Sequence, residues 1–138
     1  MNLALLTTDN ISELLFKIVE FTLSRQKILI KNIKDIHRCD FVPKDLAVDE
    51  FCRQMTGAIA EHIRHQRLVF CDTENIKFGT AGSFEALPAV DECAKELLNK
   101  DEDEYLRLQI NKLLENSLNQ RIAAELLRQR QGTVPIFE

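Results

Sequence analysis

The chain is poor in the residues that punctuate a fold, with 4 Gly and 3 Pro in 138 residues. Turns are therefore few, and helix is favoured over an all-β fold with its many Gly- and Pro-marked corners. No apolar run approaches the roughly 18 residues that a membrane span requires. Residues 1–8 (MNLALLTT) carry no basic stretch and no small-residue cleavage site, so no cleaved secretory signal is expected. The four cysteines, Cys39, Cys52, Cys71 and Cys93, are scattered and never form a CxxC pair. They read as reduced, mostly buried thiols rather than a disulfide framework. Lys and Arg are not clustered, the net charge is −4 and the pI about 5.4, so no nucleic-acid partner is expected.

Catalytic motifs are missing as well. There is no G-x-S-x-G elbow, no phosphate-cradling G-x-x-x-x-G-K-[ST] and no G-x-G-x-x-G. The glycine-bearing tip at 79–83 lacks the lysine and the following helix that phosphate binding needs, and reads as a loop. His62 and His65 are three apart, but zinc sites use C-x₂₋₄-C or H-x₃₋₅-H pairs assembled to four ligands, and no second pair is present. Surface histidines beside Arg64 and Arg67 are the reading that fits. The acidic run 101–104 fits a solvated helix start better than a carboxylate metal site. No catalytic, cofactor-binding or metal-binding residue is assigned, and no enzyme activity or cofactor is expected.

What is present is helical periodicity at both ends. Apolar residues recur at three- and four-residue steps from Ile11 through Leu14, Ile18, Phe21, Ile28 and Ile33 to Ile36, which predicts a long helix over 10–37. Asn10 and Glu13 resemble a capping pair at its start. Leu106, Ile110, Leu113, Leu114, Leu118, Ala124, Leu126 and Leu127 predict a second helix over 103–131. Gly132 then stops it, and Pro135 follows. Between them lies a middle region, 38–102. It holds a helix from 45 or 49 to 70, a loop at 71–88 with a short strand near 75–78, and a short helix over 89–99. The fold class is mainly α in one domain, 1–138. The long terminal helices pair in a coiled-coil-like bundle, because each has a stripe that only the other can cover.

Polar residues interrupt these stripes. Counting sevens from Ile11 reaches Ile18, Arg25 and Asn32, so Arg25 and Asn32 fall in the seam; Asn116 sits between Leu113 and Leu118. One reading is drift of the stripe, since 3.6 does not divide 7. The other is a seam polar residue that fixes register at some cost in stability. On the second reading, Asn32→Ile keeps or raises stability while loosening register. Leu118→Asp would place a charge in an apolar contact and lower the folded yield.

The stretch Ser24 to Ile33, with Arg25 and then Asn32-Ile33, followed by Phe41 and Asp45-Leu46, resembles the N-terminal signature of the bacterial flagellar rod and hook proteins. Ile110 to Leu118 with Leu126-Leu127 is similar to that family's closing helix. Departures occur at Lys34-Asp35, at the turn Arg38 to Phe41 and at Gln120-Arg121. The short length, without a large central domain, points to the proximal rod type. The resemblance implies Arg25, Ile28, Asn32, Ile33, Asp45, Leu46, Leu113, Asn116 and Leu118 as assembly and packing residues. It also implies export by the flagellar type III apparatus without a cleaved signal, and a place in the periplasmic rod of the basal body. The implied partners are other rod subunits, further copies in a helical tube, and the ring or export-gate adaptor. A cytosolic helical adaptor or chaperone-like protein is the alternative.

Overall fold

A computed structural model describes residues 9–79 and 84–132 of the chain. Four helices and four short strands follow in order: α1 (Asn10–Lys34), β1 (Lys44–Asp45), α2 (Val48–His65), β2 (Ile76–Phe78), β3 (Phe84–Ala86), β4 (Ala89–Val90), α3 (Glu92–Lys100) and α4 (Glu102–Gly132). The mainly helical class and the pairing of the two long terminal helices are as the sequence leads one to expect.

Helix α1 begins one residue earlier than the capping pair suggested. Asp9 is the cap, its carboxylate accepting from the Ser12 N–H at 2.7 Å, and Asn10 is already helical. The Asn10 side chain instead reaches across to His62 Nδ1 at 3.1 Å. Helix α2 stops at His65 rather than near 70. Gln66 takes a left-handed conformation (φ 58°) and its N–H closes on the His62 carbonyl. Ala89 and Val90, expected at the start of a helix, form β4, which pairs antiparallel with β1. Asp91 then caps α3 through the Ala94 N–H. The expected loop at 71–88 contains the hairpin β2–β3, with Ile76 opposite Ala86. Its tip, residues 80–83, and the stop signal at Pro135 lie outside the described residues.

Helix α1 has two kinds of neighbour. One side meets α2 and the hairpin in an apolar core of Leu14, Phe21, Leu46, Phe51, Met55, Ala58 and Ile76. Phe21 and Phe51 stack there at 4.0 Å between ring centres. The ammonium of buried Lys17 lies 5.0 Å from the Phe70 ring and 3.6 Å from Glu13, so its charge is met from both sides. The other side of α1 runs along α4. Asn32 bonds Gln109, Thr22 bonds Asn116 and Ser12 bonds Arg130, so the two helices are antiparallel. Asp101 joins α3 to α4, ending the first and capping the second.

All four cysteines are exposed, contrary to the buried thiols expected. Cys52, expected on the apolar edge of the middle helix between Phe51 and Met55, is turned out of the core, which takes Phe51, Met55 and Ala58 from α2 instead.

Candidate functional site

The contact between α1 and α4 is polar. Arg25 lays its guanidinium on the Asp45 carboxylate through two bonds, Nε to Oδ1 at 2.8 Å and a terminal nitrogen to Oδ2 at 2.9 Å. Asp45 also accepts from the N–H of Leu46. From α4, Lys112 Nζ reaches Asp45 at 3.1 Å and Asp91 at 2.8 Å. Two cations and two carboxylates thus tie α1, β1, the start of α3 and the middle of α4 together.

A second group lies two turns further along α1. Asn32 is 2 % exposed. Its amide meets the backbone of Lys44 as a strand would, accepting from the N–H at 3.2 Å and donating to the carbonyl at 2.8 Å. The same nitrogen donates to Gln109 Oε1 at 3.0 Å. The Tyr105 hydroxyl donates to the Asn32 carbonyl. Further along α4, the Asn116 amide donates to the Thr22 carbonyl at 2.8 Å. That carbonyl sits where Thr22 bends its own hydroxyl back onto Ile18 and Val19. At the far end Arg130 meets Asp9 at 2.8 Å. One buried group goes without a partner among the described residues, the Gln109 Nε2 amide.

Titration behaviour follows from this layout. Burial pushes the Asp45 carboxyl up, but the Arg25 hydrogen bonds and charge, with Lys112, outweigh it and hold the pKa below its ordinary value of 3.8. Burial pulls Lys112 down, and the Asp91 and Asp45 carboxylates overcome it, so its pKa is raised. Tyr105 is pushed up to about 12 by burial and then by the Asp91 charge. A depressed carboxyl contributes stability above its unfolded pKa, and that contribution is lost as pH falls through the folded value. Stability is therefore expected to decline below about pH 4, with Asp45 supplying part of the slope. Urea melts between pH 6 and pH 2.5, comparing the parent with Asp45→Asn, isolate that part. The variant should lose less on acidification, and parallel acid limbs would remove Asp45 from the explanation.

The residues singled out in the sequence fall into two places. Arg25, Asn32, Asp45 and Asn116 meet in the seam; Leu46 joins it only through its N–H, its side chain lying in the apolar core, against which the half-buried Ile28 also packs, and Ile33 and Leu113 are half-buried. Leu118 does not join them; it is 58 % exposed. The leucine stripe taken for the contact face of α4 is largely its outer surface. Tyr105, Gln109, Asn116 and Ala123 face inward, while Ile110, Leu114, Leu118, Ile122 and Leu126 are exposed. The latter recur every four residues, a row that winds slowly around the helix because four residues overshoot one turn of 3.6. On α1, Phe16, Leu23 and Ile30 form a second exposed row at steps of seven. The seam residues not anticipated were Tyr105, Gln109, Lys112 and Asp91. Their signal was available: 105 and 112, and 109, 116 and 123, are spaced by sevens.

Among the described residues no group of three His, Cys, Asp or Glu side chains could hold a metal ion. His65 bonds Glu61, which also pairs with Arg67. No described helix is long and apolar enough to cross a membrane. Comparison with protein-family models gives no match, and neither curated proteins nor solved structures give a significant one.

Proposed function

We propose that the chain is a structural subunit of a helical assembly, resembling the proximal rod protein of the bacterial flagellar basal body. The observation that carries the reading is the inside-out build of α4, with amides and a lysine turned toward α1 and five large apolar side chains turned outward. Burying one such side chain is worth about 1.5–3 kcal/mol. A helix that leaves five exposed is built to be covered by a neighbour. The polar seam supports the same reading. Hydrogen bonds between named partners hold register, which an assembly needs, while the apolar surface is kept for contacts between subunits.

The residues that carry the family resemblance support it further. Arg25, Asn32 and Asp45 join α1 to β1, Asp45 also accepting from the Leu46 N–H, and Asn116 fastens α4. On this reading the subunit leaves the cell through the flagellar type III apparatus. It then packs against copies of itself, other rod subunits and the basal-body ring or export-gate adaptor, and passes torque across the periplasm.

Deletion of the gene in its own bacterium should abolish swimming in soft agar, and the parent gene should restore it. Leu118→Asp should fail to restore it although the protein accumulates folded. Because Leu118 is exposed, the change should cost the isolated chain less than about 1 kcal/mol. This reverses the loss of folded yield expected from the sequence. A deletion strain that swims normally would exclude the rod reading and favour the cytosolic adaptor.

A further inference from the structure

The outer row of α4 has a counterpart on α1. Phe16, Leu23 and Ile30 are exposed on α1, and Ile110, Leu114, Leu118, Ile122 and Leu126 on α4. At 1.5 Å per residue the two rows are about 21 Å and about 24 Å long, so each can cover the other. Both lie on the reverse of the seam. Leu118 is two residues from buried Asn116, and Ile30 is two residues from buried Asn32. Two residues make a little over half a turn of helix, so the members of each pair point in nearly opposite directions. The two rows face outward on opposite sides of the helix pair, and no chain can bring its own rows together.

The rows are also level with each other. Asn32 bonds Gln109 across the seam. Leu23 lies nine residues before Asn32, and Leu118 nine residues after Gln109. Because α1 and α4 are antiparallel, Leu23 and Leu118 stand at the same height, one on each side.

We propose that the α4 row of one copy packs antiparallel on the α1 row of a second copy, with Leu118 against Leu23. Charge selects that occupant and that direction. Lys27 is four residues after Leu23, and Glu115 three before Leu118. Both are exposed, and neither has an ion-pair partner among the described residues. In the antiparallel contact, helical spacing sets them at the same height on the same flank. Phe16 then falls between Ile122 and Leu126, and Ile30 between Ile110 and Leu114. A parallel contact would keep apolar side chains together but bring Lys27 beside Arg121. Two α4 rows paired about Leu118 would bring Glu115 beside the Glu115 of the other copy. Like charges at such positions oppose association.

Each copy thus offers one face to the neighbour on its left and a different face to the neighbour on its right. Such a contact is heterologous and repeats from copy to copy rather than closing in a pair. Since Leu23 and Leu118 are level, neighbours stand side by side without an axial step, with α1 and α4 alternating along the row. This inference rests on the assembly reading and deepens it, by naming what covers α4.

Sedimentation velocity of mixed variants is the test. Leu114→Asp with Leu118→Asp leaves only the α1 face; Phe16→Asp with Leu23→Asp leaves only the α4 face. All four side chains are exposed, so both variants should keep the helical circular-dichroism signal of the parent. Each alone should stay monomeric at concentrations where the parent associates. Their equimolar mixture should form a one-to-one dimer and nothing larger. A second set of variants serves if an aspartate disturbs the fold. Lys27→Glu and Glu115→Lys should each weaken self-association by roughly two- to fivefold, as for an exposed ion pair. Both changes in one chain should return it to the parental level. Self-association of either double-aspartate variant, a mixture that stays monomeric, or a charge-swapped chain no stronger than its single variants would each overturn the inference, while an associating parent leaves the assembly reading standing. A parent that stays monomeric at every concentration would overturn the assembly reading, and this inference with it.

Discussion

Replacing Asp45 by alanine is expected to destabilise the chain by about 3–5 kcal/mol, the usual cost of breaking a buried ion pair from one side. The Arg25 side chain is 8 % exposed and that of Asp45 14 %. Without the carboxylate, the guanidinium stays buried with neither its counter-charge nor its two acceptors. Lys112 keeps Asp91, so its share of the loss is smaller. The Leu46 N–H loses the acceptor that starts the chain toward α2. Small domains have only about 5–15 kcal/mol of net stability, so the variant should be marginal at room temperature. The double change Arg25→Met with Asp45→Ala should recover a large part of the loss, because it removes the orphaned charge. Urea melts of the parent, both single variants and the double variant measure the coupling. A loss below about 1 kcal/mol for Asp45→Ala would mean that water screens the pair as it does surface bridges.

Asn32→Ile should be nearly as damaging, at roughly 3 kcal/mol, since each buried group left without a partner costs about 1–3 kcal/mol. The side chain holds both polar groups of the Lys44 backbone and the oxygen of Gln109. Isoleucine can hold none of them. Heptad logic alone leads to the opposite expectation, a polar residue whose removal strengthens an apolar seam. That logic fails because the facing residue on α4 is a fully buried glutamine, already one hydrogen bond short. Changing Gln109 to leucine as well should restore part of the stability, since it removes both orphaned amide atoms of that residue. Thermal melts of the four variants decide it. An Asn32→Ile variant at least as stable as the parent would show that the seam does not depend on these bonds.

The two long terminal helices were legible because helical periodicity is repeated over seven turns of α1 and more of α4. The polar seam was legible on the α1 side, where Arg25 and Asn32 stand out among isoleucines and leucines. On α4 the reading inverted. Two periodicities coexist there, a four-residue row of large aliphatic side chains and a seven-residue row of Gln109, Asn116 and Ala123. Hydrophobicity alone selects the first as the buried face. In the isolated chain the second is buried, because Asn32 and Thr22 offer it partners and the antiparallel register brings them opposite. The β1–β4 ribbon was not legible, since two-residue strands have no period. Its formation depends on Asn32, twelve residues upstream of Lys44, acting as a surrogate strand. The cysteines were misplaced because the residue type counts as a small hydrophobe, which at Cys52 widened the apolar edge of α2 by one position beyond the Phe51, Met55 and Ala58 that are buried.

Sedimentation velocity over a wide range of protein concentration tests the central claim most directly, that the outer row of α4 is a contact between subunits. The parent should grow beyond monomer as concentration rises. Leu114→Asp with Leu118→Asp should sediment as a monomer throughout, with an unchanged helical circular-dichroism signal. The combined change places two charges in apolar contacts and should weaken association at least a hundredfold, about 3 kcal/mol. Equal association by the parent and this double variant would contradict the claim and leave the exposed leucines as ordinary surface.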